Sequence, residues 1–196
     1  MWRKTRSIRA QFGDAARCVG VDANRNFQFK WRTGGASAEC DSGTYAGPTA
    51  LSEPETRALS DFIYNRRQDM LAYLSFHSYS QMWLLPWGYT EDPPPNYERM
   101  MDLAIKATQA LTKVHGTPYE TGTIPKLLHV ASGSSMDWAL GVANIPYSYT
   151  LELRDKGRHG FILPRSEIIP TGEETWAGVK VFMQELISRK NHTVTP

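Results

Sequence analysis

Two short apolar runs stand out along the chain, residues 71–77 and 145–151. Each is flanked by polar residues and has the length of a β-strand. The first ends at His77 and is followed by the hydroxyls of Ser78 and Tyr79; the second leads directly into Glu152. A shorter strand is predicted over residues 82–85. Elsewhere the apolar period lengthens to that of a helix. Residues 97–115 set Met100, Leu103, Ala104, Ala107, Leu111 and Val114 on one stripe, and Gly116 stops it. Ser52 and Glu55 make a capping-box pattern with Pro54 in the first turn, predicting a helix to about residue 67 with Leu59, Phe62 and Ile63 turned inward. A short helix is predicted from Ser135, or a neighbouring cap, through residue 139. Thr171 and Glu174 repeat the capping pattern before a last helix bearing Trp176, Val179, Met183 and Leu186. Strands interleaved with helices predict an α/β fold. Residues 1–50, rich in Gly, Ser, Ala and polar groups, read as a long irregular loop with short strands.

With 196 residues, 41% hydrophobic and 21% charged, the chain is expected to form one globular domain. A net charge of +2 without a long basic run gives no reason to expect a nucleic-acid partner. No stretch reaches the roughly 20 apolar residues of a membrane span, so no membrane partner is expected. The basic start, residues 1–6, has no apolar region behind it and is not a signal peptide. Cys18 and Cys40 lie 22 positions apart and fit either free thiols in a reducing compartment or a bridge in an oxidising one. The Asn191-His192-Thr193 glycosylation sequon is a signal toward the secretory route.

A histidine and a glutamate at the ends of two strands suggest one site, the imidazole on a metal and the carboxylate as general base. In an open α/β sheet, ligands bind outside the carboxyl ends of the strands. By itself, a strand-end histidine reads as a structural residue. Longer motifs change that reading: Gly20-Val21-Asp22-Ala23-Asn24-Arg25-Asn26, Phe76-His77-Ser78-Tyr79-Ser80-Gln81, Ala131-Ser132-Gly133 and Glu152-Leu153-Arg154-Asp155 all occur here. Together they resemble the zinc metallocarboxypeptidases of the pancreatic A/B type, over residues 1 to about 186.

The resemblance implies a mixed central β-sheet with helices on both faces, a catalytic zinc, peptide or protein carboxyl termini as substrate, secretion, a Cys18–Cys40 disulfide and a monomer when complete. His77 matches the family's third zinc ligand. The other two belong to a His-x-x-Glu pair that lies upstream in the family, and no histidine here is followed by glutamate at that spacing. Residues 1–196 are therefore expected to be the C-terminal part of a single catalytic domain, holding one of three zinc ligands and missing the N-terminal part of the sheet.

Glu152 matches the general base that activates the attacking water, and Arg3 the arginine that stabilises the oxyanion. Asn24 and Arg25 match the pair that binds the terminal carboxylate, where a planar guanidinium suits a bidentate anion. Tyr79 resembles a groove residue. His129 departs from the pattern, standing where the family usually has a mobile tyrosine; it is shorter but still offers a hydrogen bond. Met136 occupies the base of the specificity pocket, with Gly88 and Ile124 nearby in the same comparison. An uncharged thioether there implies an A-type preference for apolar or aromatic C-terminal residues. Arg158 is read as solvated. The alternative is a non-catalytic module that binds peptide C-termini, or an inactive remnant.

Overall fold

A computed structural model describes residues 1–8 and 18–192. Thr193 of the sequon lies outside the described residues. In chain order the elements are α1 (Pro54–Arg66), β1 (Ala72–Ser78), β2 (Met82–Leu85), α2 (Tyr97–His115), β3 (Glu120–Thr123), α3 (Ile124–Leu127), α4 (Ser135–Gly141), β4 (Tyr147–Leu153) and α5 (Ile168–His192). They divide between two compact units. The first comprises Met1–Tyr73, Pro86–Pro93 and Thr123–Ser148; the second comprises Leu74–Leu85, Pro94–Gly122 and the chain from Tyr149 on.

The first unit is mostly loop around a small core of Phe27, Ile63, Trp138, Ala139, Ala143 and Ile145. Its irregular start is pinned by the disulfide between Cys18 and Cys40 and by bridges pairing Ile8 with Val19 and Ser37 with Tyr45. The predicted capping box at α1 does not form. Glu53 sits at the cap position without a side-chain cap bond, and Ser52 Oγ donates to Glu53 Oε1 at 2.9 Å. Glu53 is fully buried, and its Oε2 accepts from the hydroxyls of Thr5 and Ser7, each at 2.6 Å. A buried carboxylate has to be hydrogen-bonded, and that need claims the serine the cap would have used. The inward face of α1 is correspondingly Thr56, Ser60 and Ile63. Leu59 and Phe62 face solvent, Phe62 beneath the Arg66 guanidinium, 4.1 Å from the ring centroid.

The second unit holds most of a four-stranded sheet of order β1-β4-β2-β3, in an α/β fold with a mixed, open sheet. Antiparallel pairing of β2 with β4 sets Met82 opposite Glu152 and Trp83 opposite Leu151. Trp83, Tyr149 and Phe182 form an aromatic triad with centroids 5.4–6.1 Å apart, joining the sheet to α5. α2 follows its predicted stripe as far as Leu111: Met100, Leu103, Ala104, Ala107 and Leu111 are fully buried, whereas Val114, in the last turn, is exposed, and the left-handed Gly116 ends the helix. α5 starts earlier than the capping pattern predicted. Thr171 Oγ1 bonds back to Glu167 O at 2.6 Å instead of capping. The buried side of α5 is Glu174, Gly178, Phe182 and Leu186, whereas Trp176 and Met183 are exposed. Gly178 faces a tight spot there: a Cβ would lie 3.0 Å from Ala107 O, so its absence lets α5 approach α2 closely.

One ion pair ties the end of β4 to α5. Arg154 Nε donates to Glu174 Oε1 at 2.7 Å, and Arg154 Nη2 pairs with Glu174 Oε2. Glu167 and Thr117 take the remaining guanidinium bonds, at 2.5 and 2.7 Å. Glu174 is fully buried, so removing its partner leaves a charge without water. Arg154→Met in the full-length protein is expected to lower the unfolding free energy by about 3–5 kcal/mol in urea denaturation. A loss of less than about 1 kcal/mol would mean that the pair is as solvent-screened as a surface bridge.

Candidate active site

In the first unit, the Gly20–Asn26 motif folds into a 3₁₀ turn over Ala23–Arg25, capped by Asp22, whose Oδ1 accepts from Asn24 N at 3.0 Å. Asp22 is 1% exposed, and its two oxygens also receive Arg3 Nη2 at 3.0 and 3.1 Å. One carboxylate thus orients the candidate oxyanion arginine and the turn bearing Asn24 and Arg25. Asn24 Oδ1 accepts from Ser135 N at 3.0 Å. Arg25 is buried; Nε donates to Gly35 O at 2.9 Å and Nη1 to Asn24 O at 3.0 Å. Among the described residues no hydrogen bond engages Arg25 Nη2. Burial lowers the Arg25 pKa and the charge of Asp22 opposes the shift. Gly133 takes φ +72°, and a Cβ there would lie 2.3 Å from Arg25 O. Only glycine permits that approach.

Ser134 caps α4 through Asp137 N at 3.2 Å, and Met136 beside it is fully buried. Gly88 and Ile124, its expected pocket neighbours, are close to each other: a Cβ on Gly88 would stand 3.3 Å from Ile124 Cδ1 and 2.7 Å from Ala131 O. Both oxygens of the buried Asp137 accept from Gly88 N at 2.9 Å, and Oδ2 from Tyr89 N at 3.3 Å. Burial pushes this carboxyl up to about 7, against the pull of the Gly88 and Tyr89 N–H groups. His129 is exposed, between α3 and Ala131.

In the second unit, His77 and Glu152 are each the penultimate residue of adjacent strands, β1 and β4, and each is half-buried. Ser80 N and Gln81 N, just past β1, donate to Leu153 O at 3.0 and 3.2 Å, so the carboxyl ends of the two strands meet. Ser75 Oγ lies 2.9 Å from His77 Nε2. The Tyr79 ring packs edge-on against Phe161, with centroids 4.9 Å apart. Gly157 and Gly160 border that ring, in a loop gathered by the Asp155 carboxylate through N–H bonds from residues 157, 159 and 160 at 2.7–3.1 Å.

A family model described as zinc carboxypeptidase matches residues 1–178. The chain belongs to the zinc carboxypeptidase family. It is 49% identical over 181 residues to carboxypeptidase B of Astacus astacus, covering 92% of this chain and 59% of that one. Human carboxypeptidase O is 41% identical over 193 residues, covering 98% of this chain and 50% of that one. The structure of bovine thrombin-activatable fibrinolysis inhibitor, in complex with tick carboxypeptidase inhibitor, superposes with TM-score 0.90 at 38% identity, covering 96% of this chain and 63% of that one. The chain thus spans between half and two thirds of the length of these relatives.

The family implies zinc. Among the described residues no group of three or more His, Cys, Asp or Glu side chains is placed to hold a metal ion. Asp22, Asn26 and Asp137, which support the candidate residues, were not singled out from the sequence. Asp22 had a legible signal: a short acid two residues before Asn24 is an N-cap pattern. Asp137 had none, because its partners are backbone N–H groups 48 and 49 positions away.

The Asp137 carboxyl has a testable consequence. Its folded pKa lies above the unfolded value of 3.8, so between those values the folded state binds the extra proton and stability falls as pH rises. Melting temperature is expected to decline from about pH 4 to 7 through this group. Asp137→Asn should flatten that part of the profile; an unchanged slope would show that the carboxyl ionises normally.

Proposed function

We propose that this chain is the C-terminal part of the catalytic domain of a secreted zinc carboxypeptidase that removes apolar or aromatic C-terminal residues. The buried, carbonyl-anchored guanidinium of Arg25 carries the reading. A fork fixed on Nε and Nη1, beside an Asn24 itself fixed on Ser135 N, suits a free carboxylate and not an internal peptide bond. The Cys18–Cys40 disulfide supports an oxidising compartment.

In this reading Glu152 takes a proton from the attacking water and returns it to the leaving amine. Arg3, held by Asp22 and half exposed, stabilises the negative charge that develops on the scissile carbonyl oxygen. His77 is one ligand of the zinc of the whole protein, and the Ser75 hydroxyl, 2.9 Å from Nε2, helps to orient its ring. Tyr79 and His129 contact the substrate. The neutral, buried Met136 forms the apolar end of the specificity pocket, which favours the A-type preference over a basic one. Zinc, when bound, supplies a Lewis acid and an acidified water.

The test uses the full-length protein with zinc and matched peptides ending in phenylalanine, its amide, or lysine. Turnover is expected for the free phenylalanine terminus, with little for lysine and none for the amide. Glu152→Gln should lower kcat by about 10²- to 10⁴-fold while leaving peptide affinity within a few-fold. Cleavage of the amide at a comparable rate would sink the reading. Binding that is lost on amidation, with no turnover by the wild type, would instead establish a carboxyl-terminus-binding module.

A further inference from the structure

We infer that Asn26 is the positioning residue for the carboxylate-binding pair, setting the orientation of Asn24 and Arg25; this rests on the function proposed for Arg25 above. Asn26 is fully buried, at the C-terminal end of the 3₁₀ turn and next to Arg25. Every polar atom of its side chain is used. Nδ2 donates to Ala46 O at 2.7 Å, and to Thr49 O and Ser52 Oγ at 3.0 Å each. Two protons serve three acceptors, so one bond is shared. Oδ1 accepts from Thr56 Oγ1 at 2.8 Å and from Glu53 N at 3.2 Å. Its backbone joins in: N donates to Ala23 O at 3.2 Å, and O accepts from Leu51 N at 2.7 Å.

These bonds tie a three-residue turn to residues 46–52 and to the first turn of α1. Such a turn has only two internal hydrogen-bonded rings, Arg25 N to Asp22 O at 2.9 Å and Asn26 N to Ala23 O at 3.2 Å, and little rigidity of its own, so its orientation is set by its attachments. Asp22 secures the front, Asn26 the back. Gly47 shows how tightly the peg is enclosed: φ is +86°, and a Cβ there would come within 2.7 Å of Asn26 Nδ2. Rotation of the Asn26 backbone would swing Arg25 directly, because the two share a peptide bond. Anion recognition by a guanidinium depends on placement to within about half an ångström, so the peg acts on carboxylate binding and not on the proton transfers.

Nothing in its own chemistry makes Asn26 a binding group, since it has no donor or acceptor to spare. What distinguishes a positioning role from a merely structural one is selectivity. General destabilisation alters a carboxylic acid ligand and its neutral amide alike; a tilted guanidinium penalises the acid alone.

The experiment measures inhibition constants of acetyl-phenylalanine and its primary amide on the full-length protein, wild type, Asn26→Ser, Thr56→Val and Arg25→Gln, with folding checked by thermal melting. Asn26→Ser introduces no charge. It is expected to weaken the acid at least about tenfold while the amide moves less than about twofold. Thr56→Val removes one anchor of the peg with little change of shape and should produce about a threefold selective loss; it serves if Asn26→Ser does not fold. Acid and amide shifting together, or neither shifting in a folded variant, would overturn the inference. Arg25→Gln separates the two levels. If it abolishes the acid's advantage while the Asn26 and Thr56 variants do not, only the positioning role fails. If it too leaves the advantage intact, the function assigned to Arg25 fails.

Discussion

A polar group withdrawn from water must find its partners in the protein, and in the first unit this requirement replaces regular secondary structure as the organiser. Asp22, Asn26, Glu53 and Asp137 are each at most 1% exposed. Each binds segments that are distant in sequence: Arg3 with Asn24, residues 46–56 with the 3₁₀ turn, Thr5 and Ser7 with Ser52, and Gly88 with α4. A loop held at several such points has lost its freedom as surely as a strand in a sheet, which makes it usable as a wall for a charged ligand. Water cannot compete for these bonds, and breaking one leaves its partner unsatisfied at a cost of about 1–3 kcal/mol.

The second unit rests on different terms. Its sheet and the α2–α5 pair are held largely by apolar contact, with Tyr149 meeting Trp83 and Phe182 edge to face and Gly178 letting one helix settle against the other. Charged contacts add to this: Lys106–Glu185 and His115–Glu173 join α2 to α5, and the Arg154–Glu174 network sits two residues beyond Glu152. A rigid strand end suits the general-base role proposed for Glu152, because proton transfer tolerates little error in distance. The two units thus present two ways of fixing a side chain: by a mesh of buried hydrogen bonds in loops, and by a strand end braced against a helix.

The strands ending near His77 and Glu152, the long stripe of α2 and the short helix behind Ser134 were all legible, because each depends on local periodicity or on a cap one turn away. Both predicted capping boxes failed for one reason. Ser52 and Glu174 had the right spacing for a local bond, but each met a stronger demand from across the fold, Ser52 from Glu53 and Asn26, Glu174 from Arg154. The inward faces of α1 and α5 were misread in the same way. Hydrophobicity named Leu59, Phe62 and Trp176, yet the buried side of α1 is set by Thr56 and Ser60, and that of α5 passes through Glu174 and Gly178.

The sequence alone determined the family and the identity of the candidate residues, since these depend on which side chains occur at which spacing. His77, Glu152, Asn24 and Arg25 could be named without any structure. It also determined the α/β class, because strand and helix periods are local properties of the chain. Only the tertiary structure decided what holds those residues: that Asp22 serves both Arg3 and the turn, that Asn26 anchors the turn from behind, and that Asp137 grips Gly88. These partners are joined by hydrogen bonds between segments distant in sequence, or to backbone groups that every residue possesses. Spacing cannot record such bonds, because the chain has to fold before donor and acceptor are neighbours.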